Sequence, residues 1–130
     1  MNASLGTTKR RVLVVDDYED AAEVTCLLLE FLGHEAHACH HGHEALELAG
    51  AVALDIAMID IVLGDMSGYD VARALRARPG GHSLHLVALT GAGRPDDRTH
   101  AFEAGFDQHI IKPLDLATLT RILAQAIAPR

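Results

Sequence analysis

Apolar residues along the chain follow two alternating rhythms. Short runs rich in β-branched residues, at Val12–Val15, Glu35–Ala38, Ile56–Ile61, His85–Thr90 and Gln108–Ile111, predict five strands. Between and after them, apolar positions recur with helical spacing. In the first such segment Val24, Leu27, Leu28 and Phe31 fall at i, i+3, i+4 and i+7, which predicts a helix with that stripe in the core and Gly33 as its stop. A second helix is expected from about His43 to Ala49, ended by Gly50. The third carries Val71 and Leu75 among alanines and meets Pro79-Gly80-Gly81 as a terminator. The fourth opens at Pro95, with Asp96 and Asp97 in a first turn where the helix dipole favours negative charge. The last has Asp115 as N-cap, then Leu116, Leu119, Ile122, Leu123 and Ala126 on one stripe.

Strict alternation of strand and helix predicts an α/β fold, a parallel sheet wrapped by helices on both faces. The nearly continuous apolar runs Val12–Val15 and Ile56–Ile61 suit central strands covered on both sides. The expected architecture is a flavodoxin-like, doubly wound five-stranded sheet of order 2-1-3-4-5 with five helices. In that order ligands bind beyond the carboxyl ends of strands one and three, where the winding reverses. Chemistry is therefore expected just after Val15 and Ile59.

Both places are acidic. Asp16 and Asp17 follow the first strand, and Asp60 closes the run Asp55-Ile56-Ala57-Met58-Ile59. Thr90 ends the fourth strand and Lys112, before Pro113, ends the fifth. Clustered carboxylates repel one another by roughly several kcal/mol per pair at an effective dielectric near 20, so the site needs a compensating cation. Oxygen donors on an open rim suit Mg²⁺, which keeps several waters and binds one or two carboxylates plus a phosphate. Lys112 offers a point charge to phosphate oxygens and Thr90 a hydroxyl donor.

Composition narrows the setting. With 130 residues and 49% of them apolar, the chain fits one domain, expected over 10–129 behind a polar, disordered leader at 1–9. A net charge of −7 disfavours non-specific contact with nucleic acid or an anionic membrane. The longest apolar runs, such as Cys26-Leu27-Leu28-Leu29, are too short to span a bilayer, and 1–9 lacks the apolar core of a signal peptide, so a cytoplasmic protein is expected. Cys26 and Cys39 lack metal or redox spacing and read as small buried hydrophobes. His34, His37, His40, His41 and His43 beside Cys39 invite a zinc or nickel reading, yet their spacing matches no closed site. Alternation places Ala36 and Ala38 inward and His37 outward on an edge strand.

The motifs Val14-Val15-Asp16-Asp17, Ala57-Met58-Ile59-Asp60-Ile61, Leu63 with Met66-Ser67-Gly68-Tyr69, Ala88-Leu89-Thr90-Gly91 and Ile111-Lys112-Pro113 closely resemble the CheY-like receiver domains of response regulators in two-component phosphorelays. The resemblance covers about Arg10 to Ala128. It implies that Asp60 accepts a phosphoryl group from a histidine kinase or histidine phosphotransfer protein. It further implies that Asp17 and Asp60 bind Mg²⁺ directly, Asp16 through water, and Val62 through its backbone carbonyl. Thr90 and Lys112 would hold the phosphoryl group, and Lys112-Pro113 would be a cis peptide. Thr90 and His109 would form the switch that alters the face of helix four, strand five and helix five, where a downstream target docks. On this reading the protein is a phosphoacceptor signalling domain rather than an enzyme.

Three departures stand out. Gly64 occupies a position where receivers commonly carry proline, so a looser loop is expected there. His109 stands where an aromatic is common, three residues before the lysine. Val62 and Ala92 flank the path of a hydrolytic water without any group to orient it, which predicts a long-lived phosphoryl group. Val62 also separates the chain from haloacid-dehalogenase-type phosphatases, which want an acid two residues beyond the nucleophile. A flavin carrier of the same fold is disfavoured because Asp16-Asp17-Tyr18-Glu19-Asp20 would repel a flavin phosphate. A degenerate receiver used only for interaction is disfavoured by the complete acid, threonine and lysine set.

Overall fold

The computed structural model describes residues 9–91 and 98–127. Residues 1–8 of the expected leader, the Pro95-Asp96-Asp97 helix start and Ala92 lie outside the described residues. Strands β1 (Arg11–Val15), β2 (Glu35–Cys39), β3 (Ile56–Asp60), β4 (His85–Thr90) and β5 (Gln108–Ile111) alternate with helices α1 (Glu19–Phe31), α2 (Gly42–Ala51), α3 (Gly68–Arg76), α4 (Arg98–Ala104) and α5 (Leu116–Ile127). All neighbouring strands pair in parallel, in the order β2-β1-β3-β4-β5.

Side chains of a strand alternate between faces, and both faces are covered. Leu13, Val15, Ala57, Ile59, Leu86 and Ala88 join Val71, Ala72, Leu75, Ala101 and Phe106 on one side of the sheet. Val12, Val14, Ile56, Met58, Val87 and Leu89 join Ala22, Leu29, Leu119 and Ile122 on the other. Each fully buried Leu, Ile, Val or Met side chain contributes about 1.5–3 kcal/mol relative to exposure. Arg76 ties the far end of this stack together. Its guanidinium donates to the carbonyls of Gly81 (2.7 Å), Leu84 and Gly105 (2.7 and 2.9 Å), and to Asp107 at 2.7 Å. Asp107 in turn accepts the Leu86 N–H at 2.9 Å, so one cation joins α3 to the starts of β4 and β5.

The structure corrects the reading of α1. Val24, Leu27 and Phe31 are 54%, 64% and 76% exposed, and of the expected stripe Leu28 alone packs partly against the core. Ala22, Thr25 and Leu29, with half-buried Cys26, face the sheet instead. The helix is apolar on two sides, so its period admits two orientations, and the side with small Ala22 and Thr25 is the one that meets the sheet. Gly50 does not end α2. The helix runs on to Ala51 and stops at Val52, whose backbone is extended. β2 reaches Cys39, which is buried, whereas Ala38 is exposed and His37 is half-buried against Glu35 at 2.7 Å. Gly33, at φ 95°, does end α1, and Asp115 caps α5 by accepting the Thr118 N–H at 2.8 Å. Among the described residues no helix is long and apolar enough to cross a membrane.

A buried histidine makes stability depend on pH. The Arg10 N–H donates to His34 Nδ1 at 2.9 Å, which requires a bare ring nitrogen there. Burial, then the charge of Arg10, holds the His34 pKa below its ordinary value. The unfolded chain, with a histidine pKa of about 6.5, therefore binds this proton more readily than the folded one. The contribution is complete above that value and is lost as pH falls toward the folded one. Denaturant titrations at about pH 7.5 and 5.5 should show a larger loss of stability in the wild type than in His34→Gln; equal losses would mean that the ring does not titrate against folding.

Candidate functional site

Four strand ends deliver polar groups to one rim. Asp16, just past β1, is 3% exposed and is fixed by its turn: its N–H donates to the Cys39 carbonyl at 3.1 Å and its Oδ1 accepts from the Tyr18 N–H at 3.0 Å. Asp60 ends β3 and accepts the Val62 N–H on Oδ1 at 2.9 Å. Thr90 ends β4 and is buried, and its carbonyl accepts the Lys112 N–H at 2.8 Å, which anchors the residue after β5. The Lys112-Pro113 peptide is cis. From this anchor the Lys112 ammonium reaches across the rim and donates to Asp16 Oδ2 and Asp60 Oδ2, both at 2.7 Å.

The electrostatics follow from burial. Desolvation raises the Asp60 pKa above its ordinary value; bonds from Lys112 and Val62 oppose the rise and the Asp16 charge adds to it. For Lys112 desolvation works against the charge, but the hydrogen bonds and charges of Asp16 and Asp60 prevail and raise its pKa. Carboxylate oxygens of Asp16, Asp17 and Asp60 lie within 4.8 Å of one another. One ammonium does not neutralise three carboxylates, and an exposed Asp17 leaves the cluster open to solvent. A set of hard oxygen donors with an open side fits Mg²⁺. Among the described residues this is the one group of acidic, histidine or cysteine side chains close enough to share a metal ion; the His34–His43 and Cys39 segment forms none.

The chain after β3 packs against its own strand. Gly68 opens α3 so close to it that a Cβ there would stand 2.4 Å from the Asp60 carbonyl oxygen. Its N–H donates to the Ile61 carbonyl at 2.8 Å, Ser67 caps α3 through Tyr69 at 3.1 Å, and Val62 bridges to Ser67. Val62 itself is 46% exposed. His109 on β5 pairs with Ala88 and so shares the sheet face of Thr90, one side-chain row back from the rim. Both of its ring nitrogens are buried without a hydrogen-bond partner among the described residues. It borders a groove of about 560 Å³ with Arg98, Phe102, Ile110 and Arg121.

Sequence reasoning missed three features near the rim. His40 Nδ1 donates to the Asp16 carbonyl at 3.1 Å, a contact with no sequence signature. Asp65, in the loop after β3, accepts N–H groups from Gly42 (2.8 Å) and His43 (3.0 Å) at the start of α2. The available signal was the absence of a side-chain cap at His41. Tyr18, Val24 and Leu27 form an exposed apolar strip running away from the rim, beside a groove of about 540 Å³ that Asp16, Tyr18, Val24, Lys112 and Pro113 line.

Comparison with known proteins agrees with this geometry. An uncharacterised 14.6 kDa protein of Leptolyngbya boryana is 31% identical over 88% of this chain and 87% of its own length. The DNA-binding response regulator MtrA of Mycobacterium tuberculosis is 33% identical over 84% of this chain, which spans 46% of that protein. The structure of a CheY-like receiver domain from Methylobacillus flagellatus superposes with a TM-score of 0.80 and 34% identity, covering 92% of this chain and 99% of that one. The model of the response regulator receiver domain matches residues 12–124, and with the acidic rim at the switch point of the sheet this places the chain in the response regulator receiver domain family.

Proposed function

We propose that the protein accepts a phosphoryl group from a phosphohistidine onto Asp60 and signals through the change in shape that follows. The observation that carries this reading is Lys112 shared between Asp16 and Asp60 on an open acidic rim. A carboxylate oxygen of Asp60 forms a bond to phosphorus as the phosphorus–nitrogen bond breaks; the electron pair leaves with the imidazole, which takes up a proton. Lys112 exchanges carboxylate for phosphoryl oxygens, and the Thr90 hydroxyl donates to another. Asp17, Asp60 and the Val62 carbonyl would hold Mg²⁺ directly, and Asp16 through water. The bound ion supplies neutralising charge between carboxylates and phosphoryl oxygens.

The partner that supplies the group is a histidine kinase or histidine phosphotransfer protein. The exposed strip of Tyr18, Val24 and Leu27 adjoins the rim and offers a partner helix an apolar bed, with its phosphohistidine over Asp60. A DNA-binding relative does not extend that contact to this domain, whose charge of −7 works against it. A cytoplasmic location suits the free thiols of Cys26 and Cys39.

Acetyl phosphate with Mg²⁺ should label Asp60 through an acid-stable, base-labile bond, and Asp60→Asn should abolish the label. Asp17→Asn should raise the Mg²⁺ needed for half-maximal labelling about tenfold or more. Labelling of Asp60→Asn at the wild-type rate would overturn the assignment.

Leu27→Arg, at an exposed site, should slow transfer from the kinase found by phosphotransfer profiling by about tenfold or more, while labelling by acetyl phosphate stays within about twofold. Equal transfer by both proteins would remove α1 from the docking surface.

Phosphorylation should draw Thr90 toward the phosphoryl oxygens and let His109 follow into the space behind it, altering the face of α4, β5 and α5 that meets the downstream target. Amide shifts with a beryllofluoride phosphate mimic should extend from the rim to that face; shifts confined to the rim would sink the switch.

A further inference from the structure

We infer that Asp65 is a positioning residue for the phosphoacceptor site, a latch that fixes the loop after β3 by gripping the N-terminus of α2. The inference rests on the proposed phosphotransfer reading and adds to it a residue that acts through the loop.

The loop needs an external hold. Residues 62–67 leave β3 and return through the Val62–Ser67 bridge and the bond from Gly68 N–H to the Ile61 carbonyl, so the base of the loop is closed. Its tip is not stiffened from within. Gly64 has open space around it, with nothing within 4 Å of where a Cβ would lie, and no proline ring restricts the backbone there. Yet this loop carries the Val62 peptide, whose N–H holds Asp60 Oδ1 at 2.9 Å and whose carbonyl is assigned to Mg²⁺. A loose tip would blur both contacts.

Asp65 supplies the hold from the tip. Its Oδ1 accepts the Gly42 N–H at 2.8 Å, and its Oδ2 accepts the His43 N–H at 3.0 Å and meets His43 Nδ1 at 2.6 Å. These backbone donors, His43 first and Gly42 second, keep the Asp65 carboxyl well below the usual carboxylate range, so it stays charged at neutral pH. The start of α2 cannot cap itself, because His41 makes no side-chain cap bond, and its unpaired N–H groups are therefore available to a remote acceptor. Met66, the next residue, closes the contact: a Cβ on Gly42 would stand 2.3 Å from its Cγ. The loop tip is thus held by charge and by packing on a helix that sits firmly on β1 and α3.

A helix cap and a loop latch share the same hydrogen bonds, and variants separate them. His41 has the extended backbone of an N-cap, so His41→Ser gives α2 a cap of its own without touching the loop. In Asp65→Ala, Mg²⁺ affinity by calorimetry should fall about tenfold, labelling by acetyl phosphate should slow at limiting Mg²⁺ and recover at saturation, and hydrogen exchange over 62–67 should quicken. Asp65→Asn, which keeps one acceptor oxygen, should fall between. Adding His41→Ser to Asp65→Ala should return the melting temperature toward wild type and leave the Mg²⁺ affinity weak. Recovery of both by His41→Ser would reduce Asp65 to a cap and overturn the latch. A wild type that neither binds Mg²⁺ nor takes the label would sink the phosphotransfer reading, whereas unchanged exchange across the loop in Asp65→Ala would sink the latch itself.

Discussion

The Lys112 ammonium, held 2.7 Å from both Asp16 and Asp60, sets the terms for the rest of the molecule. The two carboxylates come from the ends of β1 and β3, where the winding of the sheet reverses, and the cation reaches them from the end of β5. Such a bridge forms because three strand ends meet on one rim, where the flexible stem of Lys112 spans the gap to both carboxylates. The parallel registers that set Val15 beside Ile59, and Thr90 beside Ile111, bring those ends together. Burial makes the arrangement stringent, because a desolvated charge that loses its partner costs far more than an exposed one. The rim is therefore specified by the core beneath it.

Rigid and adaptable parts divide along the same line. Asp16, Asp60 and Thr90 stand on strands whose side chains are almost wholly enclosed, and their bonds run to backbone or to Lys112. The elements that vary the outcome lie around them: the loop with Gly64 and Asp65, the row that holds His109, and the outer side of α1. A common rim on a common sheet is consistent with about one-third identity to a receiver domain that superposes closely.

Much of this was legible in the sequence. Strand runs and turn glycines predict the element order, and acids at two strand ends predict the place of the site, because both signals are local and periodic. The errors share a cause. The periodicity of α1 points to Val24, Leu27, Leu28 and Phe31 as core, but a helix apolar on two sides does not say which side the sheet will choose. Gly50 reads as a stop, yet a glycine is tolerated inside a helix when the turn beyond it still packs. Asp65 reads as a polar loop residue because its partners, Gly42 and His43, are distant in sequence, and hydrogen bonds across such gaps leave no pattern. The bonds of His40 to Asp16 and of Arg76 to four residues ahead of β4 and β5 are hidden for the same reason.

The two-sided character of α1 also bears on how uniquely the sequence encodes its packing. Ala22, Thr25 and Leu29 face the core while Val24, Leu27 and Phe31 face outward, so a half-turn of the helix about its own axis would bury a second apolar surface of larger side chains. The native choice keeps Asp20, which shares the side of Val24, Leu27 and Phe31 at i+4, i+7 and i+11, out of the core. A helix of this kind carries a degree of packing degeneracy that purely amphipathic helices lack. Selection for a partner-binding face and selection for a single folded state act here on the same thirteen residues, and Asp20 keeps the two demands compatible.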